Sequence, residues 1–161
     1  MTFLRYITHP EVEVDLGSPA HTWPLSDVGR ARAARLLSQT WVADIRCVIS
    51  SPENKALETA KVLAAHLGIE PETRPDTGEN DRSSTGPLPP AEFGRLADRF
   101  FAEPEETVRG WERAVDAQRR IASALGDLLD PRRSGSLQFH QAGRSAARGF
   151  GRFCFCHRVR P

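Results

Sequence analysis

The sequence predicts an α/β domain built on a mostly parallel sheet. Short β-branched runs, of which Ile45–Ile49 is the clearest, have the composition of strands that are buried on both faces. Segments with helical periodicity alternate with these runs, as in proteins whose helices cover a parallel sheet. At 161 residues the chain is long enough for one domain with a buried core.

The first predicted strand covers Thr2–Thr8. Pro10 ends it, because the residue before a proline, here His9, is biased away from helical geometry. A loop rich in Gly, Ser and Pro follows. Ser26 is a residue type that caps helices, and a helix is predicted over Asp27–Leu37.

The strand Ile45–Ile49 leads directly into a second predicted helix. Ser50-Ser51-Pro52 ends the strand, and apolar residues then recur at intervals of three and four over Glu53–Leu67. Gly68 has the residue type that closes helices at the C-terminal end.

A long loop is predicted at residues 70–90, and loops of this length are usually functional or mobile. Two more helices are predicted after it. They cover Pro90–Phe101 and Pro104–Leu129, and Pro131 ends the second one. A short strand is predicted over Leu137–His140.

Charge and composition change abruptly at residue 131. Residues 1–130 contain all 21 acidic residues and 15 of the 22 basic ones, whereas residues 131–161 contain seven arginines and no acid. We therefore expect a domain over 1–130 and a basic, atypical tail over 131–161. A reading-frame change or a truncation would explain this break, and a divergent basic tail is the alternative.

Composition argues against several classes of protein. No apolar run approaches the ~20 residues of a transmembrane helix, so we expect no membrane partner. The apolar run near the N-terminus is too short to form the hydrophobic core of a secretory signal peptide. Cys47, Cys154 and Cys156 make no disulfide framework, so we expect a cytoplasmic protein.

Two strand ends carry the residues that could perform chemistry, since ligands of parallel sheets bind beyond the carboxyl ends of strands. The first strand ends at His9, an imidazole. The second ends in hydroxyl groups and a helix N-terminus, which together attract anions. Lys55 lies in the first turn of that helix, against the preference of the helix dipole, which indicates a ligand.

Three motifs here resemble those of the histidine phosphatase superfamily, also called phosphoglycerate-mutase-like. That family has an Arg-His-Gly-Glu run after its first strand, a Leu-Ser/Thr-x-x-Gly helix start, and Ser-Ser-Pro-x-x-Arg-Ala-x-x-Thr-Ala. The corresponding residues are Thr8-His9-Pro10-Glu11, Leu25-Ser26-Asp27-Val28-Gly29, and Ser51-Pro52 through Lys55-Ala56 to Thr59-Ala60. The family also has a glutamate in a later loop, and Glu79 is the matching candidate.

This resemblance, which covers roughly residues 1–130, implies a doubly wound, three-layer α/β/α sandwich. It implies that neutral His9 attacks a small phosphoester and forms a phosphohistidine. Protonated Glu79 would donate to the leaving oxygen and then activate water. Thr8 and Lys55 take the phosphate-binding positions, and neither a metal nor an organic cofactor is implied.

The phosphate-binding positions depart from the family pattern. Thr8 replaces an arginine and offers one neutral hydrogen bond instead of a charged fork. Pro10 replaces the glycine, and Lys55 replaces the second arginine, keeping its charge without its fork. We expect an incomplete catalytic set. The sequence leaves open whether the chain is an active hydrolase or a catalytically silent phosphate-ester binding or regulatory protein on the same scaffold.

The largest departure lies in the C-terminal stretch. The family has a second histidine on a late strand beside the first strand, in a run that closes with His-Gly-Gly. His140 is the only candidate here, and the glycine pair is absent. We therefore expect a sheet that lacks its last family strands.

Two other interpretations of this stretch carry less weight. Its arginines would suit nucleic acid by phosphate neutralisation, but a frame change would produce the same charge without that role. Cys154-Phe155-Cys156-His157 has no second pair that would complete a zinc site. We expect neither a nucleic-acid partner nor a metal.

Overall fold

The structure is a computed structural model that describes residues 3–129, 140–141 and 154–158. In chain order its strands and α-helices are β1 (Phe3–Ile7), α1 (Asp27–Arg35), β2 (Ile45–Ser50), α2 (Asn54–Leu67), β3 (Glu72–Thr73), α3 (Pro90–Ala102), α4 (Ala114–Leu129), β4 (His140–Gln141) and β5 (Cys154–Arg158). Short 3-10 turns lie at Ala20–Thr22, Leu36–Ser38, Thr40–Asp44 and Pro75–Thr77.

The strands form one sheet in the order β3-β2-β5-β1-β4. β1 pairs in parallel with β4, and β2 with β3, whereas β5 is antiparallel to both β1 and β2. Four strands therefore point in one direction and β5 in the other, which confirms the mostly parallel sheet. Cys154 pairs with both Ile7 and Ser50, so the carboxyl ends of β1 and β2 lie at one edge of the sheet.

Helices cover both faces of this sheet. Val48 of β2 lies in a buried cluster with Ala60 and Leu63 of α2. Its neighbour Ile49 lies in a second cluster with Leu128 of α4. Because successive strand residues face opposite sides, α2 and α4 lie on opposite faces. The predicted doubly wound, three-layer α/β fold is confirmed, and burial on both faces explains the β-branched composition of β2.

The stretch beyond residue 131 contributes backbone to the sheet. The sequence predicted a sheet without its last strands, and the structure corrects this: β5 lies between β1 and β2, and β4 lies beside β1. Backbone groups pair without regard to aliphatic content, which is why composition alone misled the prediction. The predicted strand Leu137–His140 is described only from His140, because residues 137–139 and most of the predicted tail lie outside the described ranges.

The predicted helix over Pro104–Leu129 is wrong in its first part, since α4 begins at Ala114. Arg109 and Gly110 have φ values of 51° and 83°, which a continuous right-handed helix excludes. Val108 and Trp111 are instead buried against Phe100 of α3, in a cluster on which Leu88 and Leu96 also pack. Val108 and Trp111 are three residues apart, which is also the spacing of neighbours on one face of a helix, and this explains the wrong prediction.

The elements predicted between residues 2 and 102 agree with the structure within two residues at each end. Within the predicted loop at 70–90 the structure adds the two-residue strand β3. Gly68 closes α2 with a φ of 66°, in the left-handed conformation that glycine adopts readily. Over residues 3–129, no helix has both the length and the apolar character needed to cross a membrane.

Candidate active site

His9 lies two residues beyond β1 and is almost fully buried, with 4% of its surface exposed. Its Nδ1 atom lies 2.6 Å from the backbone carbonyl oxygen of Pro10. A carbonyl oxygen only accepts, so Nδ1 carries the hydrogen in this bond. In the neutral imidazole the lone pair is then on Nε2, which is the nitrogen able to act as a nucleophile. Pro10 retains this carbonyl although it replaces the family's glycine.

Nε2 of His9 is buried and makes no hydrogen bond to any residue that the structure describes. It lies 3.5 Å from Oε1 of Glu79, which is longer than a good hydrogen bond. A buried polar atom without a partner is costly. A ligand bound at this nitrogen would account for it.

Glu79 is the residue on which the other side chains converge. Its Oε1 atom lies 3.3 Å from Nζ of Lys55, and its Oε2 atom lies 2.5 Å from Nη2 of Arg82. The structure therefore brings together three of the predicted residues, His9, Lys55 and Glu79, and adds Arg82 to them. We call these four residues the His9 cluster.

The neighbours of Glu79 stabilise its charge. Burial by itself would raise the pKa of this carboxyl group, but His9, Lys55 and Arg82 together outweigh it and lower the pKa from 4.5 to about 2. With these neighbours in place, Glu79 is ionised at neutral pH. The protonated acid implied by the family resemblance is not the resting state here, and its formation requires a change in the surrounding charges.

Lys55 is held at the N-terminal turn of α2 and is also almost fully buried. Its Nζ atom donates to the carbonyl oxygen of Ala20 at 3.2 Å. Nδ2 of the adjacent Asn54 donates to the carbonyl oxygen of Thr22 at 2.8 Å. The turn Ala20–Thr22 therefore lies against the start of α2, and its carbonyl, together with Glu79, compensates the unfavourable dipole that Lys55 meets there.

Side chains from two sides hold the loop that carries Glu79. Oε1 of Glu53 accepts the backbone N–H of Glu79 at 2.8 Å. From α4, Arg120 donates to three backbone carbonyl oxygens at 3.0–3.1 Å. These belong to Asp76, Gly78 and Glu79. Both carboxylate oxygens of Glu112 in turn accept hydrogen bonds from the Arg120 guanidinium, at 3.0 and 2.8 Å.

The Leu25–Gly29 motif holds the segment that follows His9. Oγ of Ser26 accepts the N–H of Gly29 at 3.0 Å and donates to the carboxylate of Glu11 at 2.8 Å. Gly29 also packs tightly on this segment, since a Cβ at this position would lie 2.0 Å from the carbonyl oxygen of Glu11. Only glycine permits this approach, so the motif fixes the backbone close to His9.

Two predicted pocket residues are not joined to the His9 cluster. Thr8 is exposed, and among the described contacts its side chain makes no hydrogen bond to the cluster. The backbone of His140 pairs with Phe3, at the N-terminal end of β1, whereas His9 follows the carboxyl end. At about 3.3 Å per residue these two ends are roughly 13 Å apart, so the register does not bring His140 to the edge that carries His9.

Sequence reasoning does not single out Arg82 or Arg120. Arginine accounts for nearly all of the 22 basic residues, so any one arginine is a weak signal. The position of Arg82, three residues after Glu79, is its only indication. Among the described residues, no group of three or more His, Cys, Asp and Glu side chains could hold a metal ion.

Comparison with protein families gives a match to the histidine phosphatase superfamily, branch 1, over residues 9–139. A search of curated proteins with this sequence finds no match.

Several solved structures share the fold. Mycobacterial hydrolase 1 has a TM-score of 0.66 and 18% identity, over 80% of this chain and 66% of that one. Mycobacterial glucosyl-3-phosphoglycerate phosphatase with inorganic phosphate has a TM-score of 0.65 and 19% identity, over 81% of this chain and 65% of that one. A protein from Thermus thermophilus has a TM-score of 0.52 and 19% identity, over 78% of this chain and 72% of that one. The chain thus spans just under two thirds of the length of the two mycobacterial proteins.

Proposed function

Because the chain belongs to the histidine phosphatase superfamily, we propose that it hydrolyses a small phosphoester through a phosphohistidine formed on His9. The observation that carries this proposal is Nε2 of His9, a buried nitrogen without a hydrogen-bond partner among the described residues, located in a cluster with two cations. The structural likeness to a phosphatase with bound phosphate supports a phosphorylated small molecule as the substrate.

In the first step, the lone pair of Nε2 attacks the phosphorus atom. The P–N bond forms while the bond between phosphorus and the ester oxygen breaks. Lys55 stabilises the charge on the phosphoryl oxygens. The departing oxygen takes a proton from Glu79, so that the product leaves as a neutral alcohol.

Glu79 can hold this proton only after the charges around it change. The bound phosphoryl group engages Lys55 and adds negative charge beside the carboxylate. Both effects raise the pKa of Glu79. We therefore expect Glu79 to take up its proton as the phosphoester binds.

In the second step, Glu79 is again a carboxylate and accepts a proton from the water that attacks the phosphohistidine. The P–N bond breaks, its electron pair returns to Nε2, and inorganic phosphate leaves. Glu79 then loses its proton to solvent as the product departs. The net reaction converts a phosphoester and water into an alcohol and phosphate.

The catalytic set that we propose is incomplete, and the reaction is therefore slow. Thr8 supplies no cation where the family has arginine, and the register of β4 leaves His140 away from His9. Loss of one strong oxyanion donor typically costs about 2.7–4 kcal/mol, or roughly 10²–10³ in rate. We place this hydrolase in the cytoplasm, in line with its few cysteines.

Trapping of the phosphohistidine tests the proposal. The chain is incubated with para-nitrophenyl phosphate that carries radioactive phosphorus, and the protein is isolated. We expect a label that acid removes and base does not, absent from His9→Ala and present in His66→Ala, a control at an exposed histidine of α2. Label that persists in His9→Ala, with an unchanged circular dichroism spectrum, would overturn the proposal.

A catalytically silent phosphate-ester binding protein is the second candidate. It is favoured by the ionisation of Glu79, whose carboxylate is already paired with Lys55 and Arg82. This candidate predicts that phosphate or vanadate binds at the His9 cluster while neither label nor turnover is observed. Nucleic-acid binding gains no support, since the arginine-rich stretch lies largely outside the described residues.

A further inference from the structure

Arg82 reaches the His9 cluster from the loop that also carries Glu79. Its Nη2 atom contacts Oε2 of Glu79 at 2.5 Å. The guanidinium carbon lies 5.1 Å from the ring centre of Phe93 and 5.9 Å from that of Trp111. Cation–π contacts of this kind hold a guanidinium in place without using its N–H groups.

Most donors of Arg82 remain available to a ligand. A guanidinium has five N–H groups, and among the described contacts only Nη2 donates a hydrogen bond. The side chain is 24% exposed, so a ligand that enters from solvent can reach it. Arg82 is thus held in position, while most of its N–H groups have no partner among the described residues.

The Glu79 carboxylate marks where an anion is held in this cluster. One oxygen contacts Lys55 and the other contacts Arg82, and the unpartnered Nε2 of His9 lies 3.5 Å from the first. Phosphoryl oxygens accept hydrogen bonds from the same cations as carboxylate oxygens. An anion that takes the place of this carboxylate would contact both Lys55 and Arg82 and would lie close to Nε2 of His9.

We propose that Arg82 is a phosphoryl-binding residue of this site and supplies the guanidinium that position 8 lacks. This inference rests on the proposed function and assigns a residue outside the family motifs. Arg82 and Lys55 then form the cation pair for the phosphoryl oxygens, one with a planar fork and one with a point charge. Thr8, exposed and neutral, has no part in it.

Calorimetric titration with inorganic phosphate tests the assignment. In Arg82→Met the apolar side chain keeps a contact surface for Phe93 and Trp111 while the charge is lost. Arg74→Met is the matched control, because Arg74 is 25% exposed and also pairs with a carboxylate, that of Asp76. We expect binding to weaken by about 10- to 100-fold in Arg82→Met and by less than about twofold in Arg74→Met.

A Glu79→Gln background separates binding from charge compensation. If Arg82 only neutralised Glu79, its removal would not affect phosphate binding once Glu79 is replaced. If Arg82 binds phosphate, Arg82→Met still weakens binding by about tenfold or more in this background, and Arg82→Lys restores part of the loss. Equal affinities with and without Arg82 in the Glu79→Gln chain would overturn the inference.

These outcomes are distinct from failure of the proposed function. Phosphate binding that depends on Arg82, in a chain that never labels at His9, would support the inference and reject hydrolysis. Labelling at His9 with phosphate affinity unchanged in Arg82→Met would do the reverse. A wild-type chain that binds no phosphate would reject both.

Discussion

The guanidinium of Arg120 in α4 donates to the backbone carbonyl oxygen of Glu79, with Nη2 3.1 Å from that oxygen. The same side chain also holds the carbonyl groups of Asp76 and Gly78. Among the described contacts, Arg120 makes no hydrogen bond to a side chain of the His9 cluster, and it fixes the backbone from which the Glu79 carboxylate projects.

Arg120→Lys should therefore impair turnover more than substrate binding. The lysine keeps the charge but cannot donate to three carbonyls and Glu112 at once. We expect kcat to fall by about 10- to 100-fold, with KM changed by less than about threefold, because displaced catalytic groups cost rate. Steady-state kinetics with para-nitrophenyl phosphate measure this. Arg119→Lys, at the exposed neighbouring position, should match wild type; equal losses in both variants would contradict a positioning role.

Lys55→Met should weaken the binding of inorganic phosphate by about tenfold or more, since a buried charged donor is lost. Lys61→Met is the control, because Lys61 is the other lysine of α2 and is exposed. Both variants are titrated by calorimetry at one salt concentration. A similar small loss in each would show that Lys55 acts only through the general charge of the protein.

Glu79 makes stability depend on pH in a defined direction. Its pKa is lowered from 4.5 to about 2 in the folded chain. As the pH falls below about 4.5, Glu79 therefore takes up a proton in the unfolded chain before it does so in the folded chain. The stabilisation of the folded state by ionised Glu79, on the order of 3 kcal/mol, is lost progressively towards pH 2. Glu79→Gln lacks this contribution. Urea unfolding should show the variant less stable at pH 6 and the two proteins converging as the pH falls; a constant gap would refute this.

Gly29→Ala should destabilise the chain by about 1–3 kcal/mol, because the added Cβ would lie 2.0 Å from the carbonyl oxygen of Glu11. Gly94→Ala in α3 is the control: a Cβ there meets nothing within 4 Å, and the lost backbone freedom should stabilise the chain by about 0.5–1 kcal/mol. Urea unfolding measures both. If both substitutions change the free energy of unfolding in the same direction, the close contact between position 29 and Glu11 does not determine the stability of this segment.

The sequence predicted the features that depend on a residue's type and on its neighbours along the chain. β2 was predicted because burial on both faces selects β-branched residues, and His9 and Lys55 because they follow strand ends in motif order. The structure also distinguishes Glu79 from Asp81, an acid two residues further along: Asp81 accepts the N–H of Ser83, whereas Glu79 contacts His9.

Contacts between residues far apart in the chain could not be predicted from the sequence. Arg120 contacts residues more than forty positions away, and no local pattern reports such a pairing. The start of α4 was misplaced because Val108 and Trp111 have the spacing of a helix face, although they precede the helix and pack against Phe100. The pairing of β5 was missed because its hydrogen bonds come from backbone, which composition does not reveal.

β5 also determines when the site can form during folding. β1 leads to His9 and β2 leads to Lys55, and β5, the last described strand of the chain, lies between these two strands and pairs with both. Pairing β1 with β5 closes a loop of roughly 150 residues, a non-local contact of the kind that slows folding. Because β5 pairs with both strands, we expect His9 and Lys55 to come into register late in folding, after the helices and turns that depend on local contacts have formed.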